Sequence, residues 1–201
     1  MGVHSKVKLT RTFIALETND ALQCHLTDVI RQVAPVLPAM RWVEPASIHL
    51  TLAFLGELTD EQVAEAVQAT QMAAQQAQSF SYRLSRLGTF GSSRYPRVIW
   101  MGVEEASGSL ASVHCMLNQQ LLQRGFEIDT RPFLPHLTLA RLKSPLSSQE
   151  QQRLQSLLAD KPHRLVSTSS YAADSLDVMR SERRQMEACY SCLRSCLIGK
   201  N

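Results

Sequence analysis

No apolar run in this 201-residue chain approaches the roughly 18 residues that a membrane-spanning helix needs, and the opening MGVHSKVKLTRTF lacks the apolar segment of about 7–15 residues that marks a secretory leader. Lys6 stands where an N-myristoylation signal would need Ser or Thr. The expectation is a cytoplasmic protein with no membrane association. Cysteine is scarce and odd in number: Cys24, Cys115, Cys189, Cys192 and Cys196 make a poor disulfide framework and suit a reducing compartment. Cys189 and Cys192 have the Cys-x2-Cys spacing of half a zinc site, but no second Cys/His pair at a usual spacing accompanies them. The cluster is expected to pack as small, semi-apolar side chains in a terminal element. Phosphate-cradling glycine loops of the forms G-x-x-x-x-G-K-[ST] and G-x-G-x-x-G are absent, as are His-x-His, His-Glu-x-x-His and the G-x-S-x-G elbow. P-loop nucleotide hydrolysis, dinucleotide binding, zinc proteolysis and α/β-hydrolase chemistry thereby lose their signatures. A strong charge of one sign is missing too. The net charge of +3 and pI near 8.7 do not by themselves identify a nucleic-acid binder.

What is present is a globular text. Apolar residues make up 44% and charged ones 19%, which excludes a disordered chain, and a protein of this length can bury about 70% of its unfolded surface without staples. RTFIAL (Arg11 to Leu16) reads as a buried strand. Leu22, Leu26, Val29, Ile30 and Val33 then fall at helical spacing behind a cap at Asn19 or Asp20, and Pro35 and Pro38 end that pattern. A proline-broken connection through RWVEP leads to HLTLAFLG, starting at His49. Thr59 and Gln62 have capping-box spacing and open an alanine-rich helix. Two strand-like runs, SYRLSRLGTF and RVIWMGV, are separated by the turn-forming GSSRYP, and a helix over Ser109–Gln123 with Gly125 beyond its end follows.

HLTLARL then begins at His136, whose number exceeds that of His49 by 87, and Ser147 to Glu150 is again a capping-box spacing before QQRLQSLLA. The repeat is thus a His-x-Thr strand followed by a capped helix. HRLVS and AADSLDVMR read as strands, while QMEACYSCLRSCLI is ambiguous between strand and helix. This grammar predicts an α+β fold: one domain over residues 1–201, bilobal, made of two similar lobes. Each lobe would hold a largely antiparallel sheet flanked by helices, around a central cleft.

On a strand, alternate side chains share a face, so His49 and Thr51 are expected to face one way and Leu50, Leu52 and Phe54 the other. His136 and Thr138 split in the same way from Leu137 and Leu139. Packing needs the leucines but gives no reason to repeat the polar pair. Two imidazoles with ordinary pKa near 6.5 can divide acid and base duties around a phosphate, while threonine hydroxyls donate to the oxygens that gain charge. Arg141 stands where a guanidinium could add a charge-assisted contact. The residues supply no set of three convergent metal ligands, so neither a metal nor another cofactor is expected.

The paired His-x-Thr motifs resemble those of the 2H phosphoesterase superfamily. RTFIALE, RWVEPASIHLTLAFLGE, YPRVIWMGV, RPFLPHLTLARL and DSLDVMRSERRQMEACY resemble, in order, the blocks of the RNA 2′,3′-cyclic phosphodiesterases, formerly called 2′-5′ RNA ligases. The resemblance implies two pseudo-twofold-related lobes with the motifs facing a central cleft, and metal-independent opening of an RNA-terminal 2′,3′-cyclic phosphate to a 2′-phosphate. It implies His136 as the proton acceptor, His49 as the proton donor to the 3′-oxygen, and Thr51 and Thr138 as phosphate ligands. Arg141 is the first further candidate for substrate contact, with Phe13, Arg97 and Trp100 after it and Tyr95 as a base-stacking candidate. The implied partner is RNA, or an oligonucleotide, ending in a 2′,3′-cyclic phosphate, and the protein is expected to be a monomer. Ligation of 2′-5′ ends would be the same chemistry reversed. Two alternatives stay open: a nucleotide- or RNA-binding module with little hydrolysis, and a related enzyme acting on ADP-ribose 1″,2″-cyclic phosphate or 2′-5′ oligonucleotides.

Overall fold

The computed structural model describes residues 8–92, 95–159, 168–184 and 187–199, so the strand expected at HRLVS lies outside the described residues. The first half contains β1 (Thr10–Glu17), α1 (Asp20–Val33), a short β2 (Met40–Trp42), β3 (His49–Leu58) and α2 (Asp60–Gln76). β4 (Phe80–Gly91), β5 (Pro96–Glu104), α3 (Ser109–Gln123), β6 (His136–Leu142) and α4 (Ser148–Ala159) follow. The described chain closes with β7 (Tyr171–Ala173), β8 (Ser175–Arg184) and β9 (Glu187–Leu197).

Local chemistry sets these boundaries. The Asn19 side chain accepts from the Leu22 amide and caps α1, whose Leu22, Leu26, Val29 and Val33 are buried. At about 1.5–3 kcal/mol per fully buried aliphatic side chain, that face holds the helix down far more firmly than its cap does. Both capping boxes form: Thr59 with Gln62 on α2, and Ser147 with Glu150 on α4. The ambiguous cysteine-rich segment is the strand β9, paired along its length with β8. Only Cys196 of its three cysteines is buried, so the expected packing role holds there and not at the exposed Cys189 and Cys192. Two smaller expectations are corrected: RWVEP contains strand β2, and AADSLDVMR is interrupted at Asp174 between β7 and β8.

The strands are antiparallel throughout, in the order β7-β4-β5-β6-β3-β1-β8-β9. The expectation of a separate sheet in each lobe is thus refined to one continuous path. Its two halves mirror each other about the centre: β3 is backed by β1 and β8, and β6 by β5 and β4. They meet through one residue pair, Leu50 opposite Leu137, the same position of the two repeats. An antiparallel pairing of equivalent residues is what a twofold axis between the strands requires. β2 explains why the contact goes no further, because Met40, Arg41 and Trp42 pair with Leu142, Arg141 and Ala140 on the edge of β6 that β3 would otherwise continue to occupy. The Val43 amide adds a bond to the Leu139 carbonyl at 2.8 Å. The two histidine strands touch at one rung and then diverge, leaving a cleft.

Leu50, Leu137 and Leu139 are fully buried and Leu52 nearly so, in a core closed by the helices. α2 lies against β1, β3, β8 and β9, and its buried Ala66, Ala69, Ala73 and Ala74 permit close approach. No helix among the described residues is long and apolar enough to cross a membrane.

Candidate active site

At the single rung between the halves, Leu50 and Leu137 point into the core, so their neighbours His49, Thr51, His136 and Thr138 turn to the opposite, cleft-lining face. Each imidazole is fixed in the same way. His49 Nδ1 lies 2.9 Å from the Ser47 carbonyl and His136 Nδ1 lies 2.8 Å from the Leu134 carbonyl, in both cases two residues back. A carbonyl only accepts, so Nδ1 carries hydrogen in both rings. Nε2 is left as the atom that gains or loses a proton.

Aromatic side chains hold each ring in place. Phe13 and Tyr190 pack on His49 with centroids at 4.7 and 4.8 Å, the tyrosine edge-on at 81°. Phe90 meets His136 at 4.9 Å and 88°, and Trp100 lies 6.1 Å away. Trp100 lies close over Gly88, where any Cβ would overlap its indole ring. Burial above all, and after it Arg141 and His136, hold the proton affinity of His49 below the ordinary imidazole value of 6.5, against the pull of the Ser47 carbonyl.

The expectation that Phe54 shares the leucine face is corrected by the backbone. β3 carries an extra residue at Leu52, between the pairs Ala15–Thr51 and Ile14–Ala53. β6 carries one at Leu139, between Trp100–Thr138 and Ile99–Ala140. Such a β-bulge shifts the side chains beyond it to the other face, in β3 as far as a second extra residue at Leu55. Phe54 and Arg141, again 87 apart, therefore return to the cleft side, where Phe54 is 54% exposed under the Arg11 guanidinium at 5.0 Å. The two half-sites are alike in His and Thr and unlike at this position, with an aromatic ring in one and a cation in the other.

Two adjoining hollows follow from this arrangement. The larger, of about 950 Å³, is lined by His49 and Thr51 together with Arg11, Phe13, Arg41, Phe54, Arg141 and Tyr190. The smaller, of about 530 Å³, is lined by His136, Phe90, His114 and Phe133 and shares Thr51 and Phe54 with the first. Of the residues singled out from sequence, His49, Thr51, Arg141 and Phe13 gather at the first hollow. His136 opens on the second, while Thr138, two residues further along β6, and Trp100, 6.1 Å from the His136 ring, line neither hollow. Arg97 and Tyr95 are exposed near the start of β5 and line neither hollow. Sequence reasoning missed Tyr190, Phe54 and Phe90. Tyr190 comes from β9, and nothing in its own segment signals a partner near residue 49. Among the described residues no group of three or more His, Cys, Asp or Glu side chains is arranged to hold a metal ion.

The sequence model described as LigT like Phosphoesterase matches the chain twice, over residues 16–100 and 102–186, with one His-x-Thr motif in each match. An RNA 2′,3′-cyclic phosphodiesterase of Thermotoga maritima is 31% identical over 133 residues, 66% of this chain and 70% of that one. Another, of Geobacillus stearothermophilus, is 33% identical over 135 residues, 67% of this chain, although the match spans only 43% of that relative's length. The fold is shared with a solved protein of Thermus thermophilus, at a TM-score of 0.78 and 24% identity, covering 94% of this chain and 98% of that one. Escherichia coli LigT without ligand follows at 0.74 and 24% identity, covering 96% and 99%. A family model that matches once in each half, on a duplicated motif that the fold brings to a single cleft, leads to one conclusion: the chain belongs to the LigT-like phosphoesterase family.

Proposed function

We propose that this protein hydrolyses the 2′,3′-cyclic phosphate at RNA or oligonucleotide ends to a 2′-phosphate. The observation that carries the proposal is the matched pair of imidazoles, each with Nδ1 engaged by a carbonyl and Nε2 left for proton transfer. The relatives named RNA 2′,3′-cyclic phosphodiesterase support the substrate class. In the proposed reaction His136 Nε2 takes a proton from water, the new O–P bond forms, and the P–O3′ bond breaks. His49 Nε2 gives its proton to the departing 3′-oxygen. Each proton transfer contributes about 10²–10⁴-fold to such a reaction. Thr51 and Thr138 donate hydrogen bonds to the non-bridging oxygens, and Arg141 adds a charge-assisted contact. Because the departing O3′ belongs to the nucleoside and leaves opposite the water, towards His49, the nucleoside lies on the His49 side. There Arg11, Arg41 and Arg141 against Glu57 leave the larger hollow with two positive charges to meet RNA phosphates. The treatment of residues 1–201 as a single domain is supported by the unbroken strand path through both halves.

The test is incubation of a cyclic-ended oligonucleotide with the protein in excess EDTA, followed by identification of the phosphate isomer. A 2′-phosphate formed by the wild type, and lost in folded His49→Ala and His136→Ala variants, is expected. A 3′-phosphate would reverse the leaving-group assignment. Tight binding without turnover would make the protein a binding module.

A further inference from the structure

Glu57 is out of place in the larger hollow. It is the one carboxylate among the described residues that line it, and a carboxylate repels the phosphates to which Arg41 and Arg141 are suited. Those two arginines stand opposite each other on β2 and β6. Glu57 stands opposite Arg11 in the same way on β3 and β1, so this second rung carries no net charge and turns both side chains to the cleft. Among the described residues neither an ion pair nor a hydrogen bond occupies the Glu57 carboxylate, because Arg11 lies over the Phe54 ring instead, 5.0 Å from its centroid. A donor and an open acceptor therefore sit side by side, next to an exposed aromatic ring. Their distance from the chemistry follows from the register, in which Thr51, Phe54 and Glu57 pair with Ala15, Phe13 and Arg11. At about 3.3 Å per residue, the ring stands about 7 Å along the strand from Thr51 and the Arg11–Glu57 rung about 13 Å. One nucleoside and a glutamate side chain together span that stretch.

We propose that Arg11 and Glu57 read the base of the terminal nucleotide and select guanine. The proposal rests on the cyclic-phosphate hydrolysis above and on the place of the nucleoside on the His49 side. The Watson–Crick edge of guanine offers an acceptor, O6, beside two donors, N1–H and N2–H. Arg11 donates to O6 while the two carboxylate oxygens of Glu57 accept from N1–H and N2–H, and Phe54 carries the face of the base. No other common base has that order. Uracil matches O6 and N1–H with O4 and N3–H, but then turns its O2 acceptor to a carboxylate oxygen. Adenine and cytosine present an amino donor to Arg11 and a ring acceptor to Glu57, so both contacts are reversed. The unlike residues of the two half-sites then divide the substrate, Phe54 taking the base and Arg141 the phosphate.

The experiment compares kcat/KM for the 2′,3′-cyclic phosphates of guanosine, inosine, adenosine, cytidine and uridine. A bidentate base contact discriminates by about 5–150-fold. Glu57 is exposed to water, so the expectation lies near the lower end, roughly tenfold for guanosine over cytidine. Inosine, which lacks only the N2 amino group, should fall between them. Glu57→Gln sets an amide donor against a guanine donor and should bring the guanosine-to-cytidine ratio close to one. Damage to the fold would lower all five substrates together and leave that ratio as it was, and the inosine comparison needs no variant. Phe54→Ala should raise KM for every base, roughly tenfold, as for loss of one stacked base. Equal kcat/KM for the five in the wild type, inosine equal to guanosine, a ratio unchanged in Glu57→Gln, or KM unmoved in Phe54→Ala would each overturn the base reading. Absence of hydrolysis with all five would instead overturn the proposed function.

Discussion

Binding of an anionic phosphodiester is expected to put a proton on His49. In the empty cleft, burial and the nearby Arg141 and His136 keep its proton affinity below the ordinary value, so the ring is mostly neutral at pH 7. A proton donor must be charged, and the substrate can supply the difference. A monoanion about 4 Å from the ring attracts an imidazolium by about 4 kcal/mol at an effective dielectric near 20. That attraction raises the proton affinity of His49 on binding, less what further loss of water takes back. The sign follows: the free value is lowered and the bound value raised, so the complex holds more protons than its free components between the two. Affinity should therefore rise as pH falls through that window, by up to about tenfold per unit. Calorimetry with a nucleoside 2′,3′-cyclic phosphorothioate, whose own charge is constant near neutrality, measures proton uptake when repeated at pH 7 in buffers of different ionisation enthalpy. Uptake approaching one proton is expected for the wild type, none for His49→Gln, and less for Arg141→Gln, in which free His49 is already less depressed. Tight wild-type binding with no proton uptake would refute His49 as the donor.

Two further outcomes depend on the scaffold. Gly88→Ala should drive a methyl group into the Trp100 ring, costing about 1–3 kcal/mol of stability and disturbing the Phe90–Trp100–His136 cluster. A lower melting temperature with a reduced kcat/KM checks this, and an unchanged melting temperature would refute the close packing. Glu150 ties α4 to the segment before β2: its carboxylate accepts from Ser147 and from the Ala39 amide at 2.9 Å, and these bonds, the Ser147 side chain first, lower its pKa from 4.5. Its contribution is therefore complete above about 4.5 and lost as pH falls through the lower folded value. The melting-temperature gap between wild type and Glu150→Gln should shrink on acidification below that point, and a constant gap would count against the carboxylate's role.

Local signals made much of this fold legible in advance. The bounds of α3 match the Ser109–Gln123 pattern, and Thr59–Gln62 and Ser147–Glu150 announce α2 and α4 because capping is chemistry between near neighbours. His49, Thr51, His136 and Thr138 were readable because the duplication repeats polar letters that packing does not need. The turn of Phe54 onto the cleft was not readable, since a bulge is a property of two paired strands and Leu52 looks like any other core leucine. Tyr190 was hidden for a related reason: its place against His49 depends on β8 and β9 folding back beside β1. The strand nature of β9 was likewise settled by its pairing with β8, where the letters alone left two choices.

The extra residues at Leu52 and Leu139 also bear on how such a protein can change over generations. Each fixes the count from a histidine to the fifth residue after it, because that count decides whether Phe54 or Arg141 meets the cleft or the core. A substitution within HLTLAF or HLTLAR alters one side chain. Loss of the extra residue together with its bulge would leave Phe54 or Arg141 an even step from its histidine and still on the cleft side, whereas loss of a residue with the bulge retained would, in β6, press a guanidinium into apolar packing. Length within these two short windows should thus change only together with the bulge, and other tolerated insertions should fall in the turns outside them.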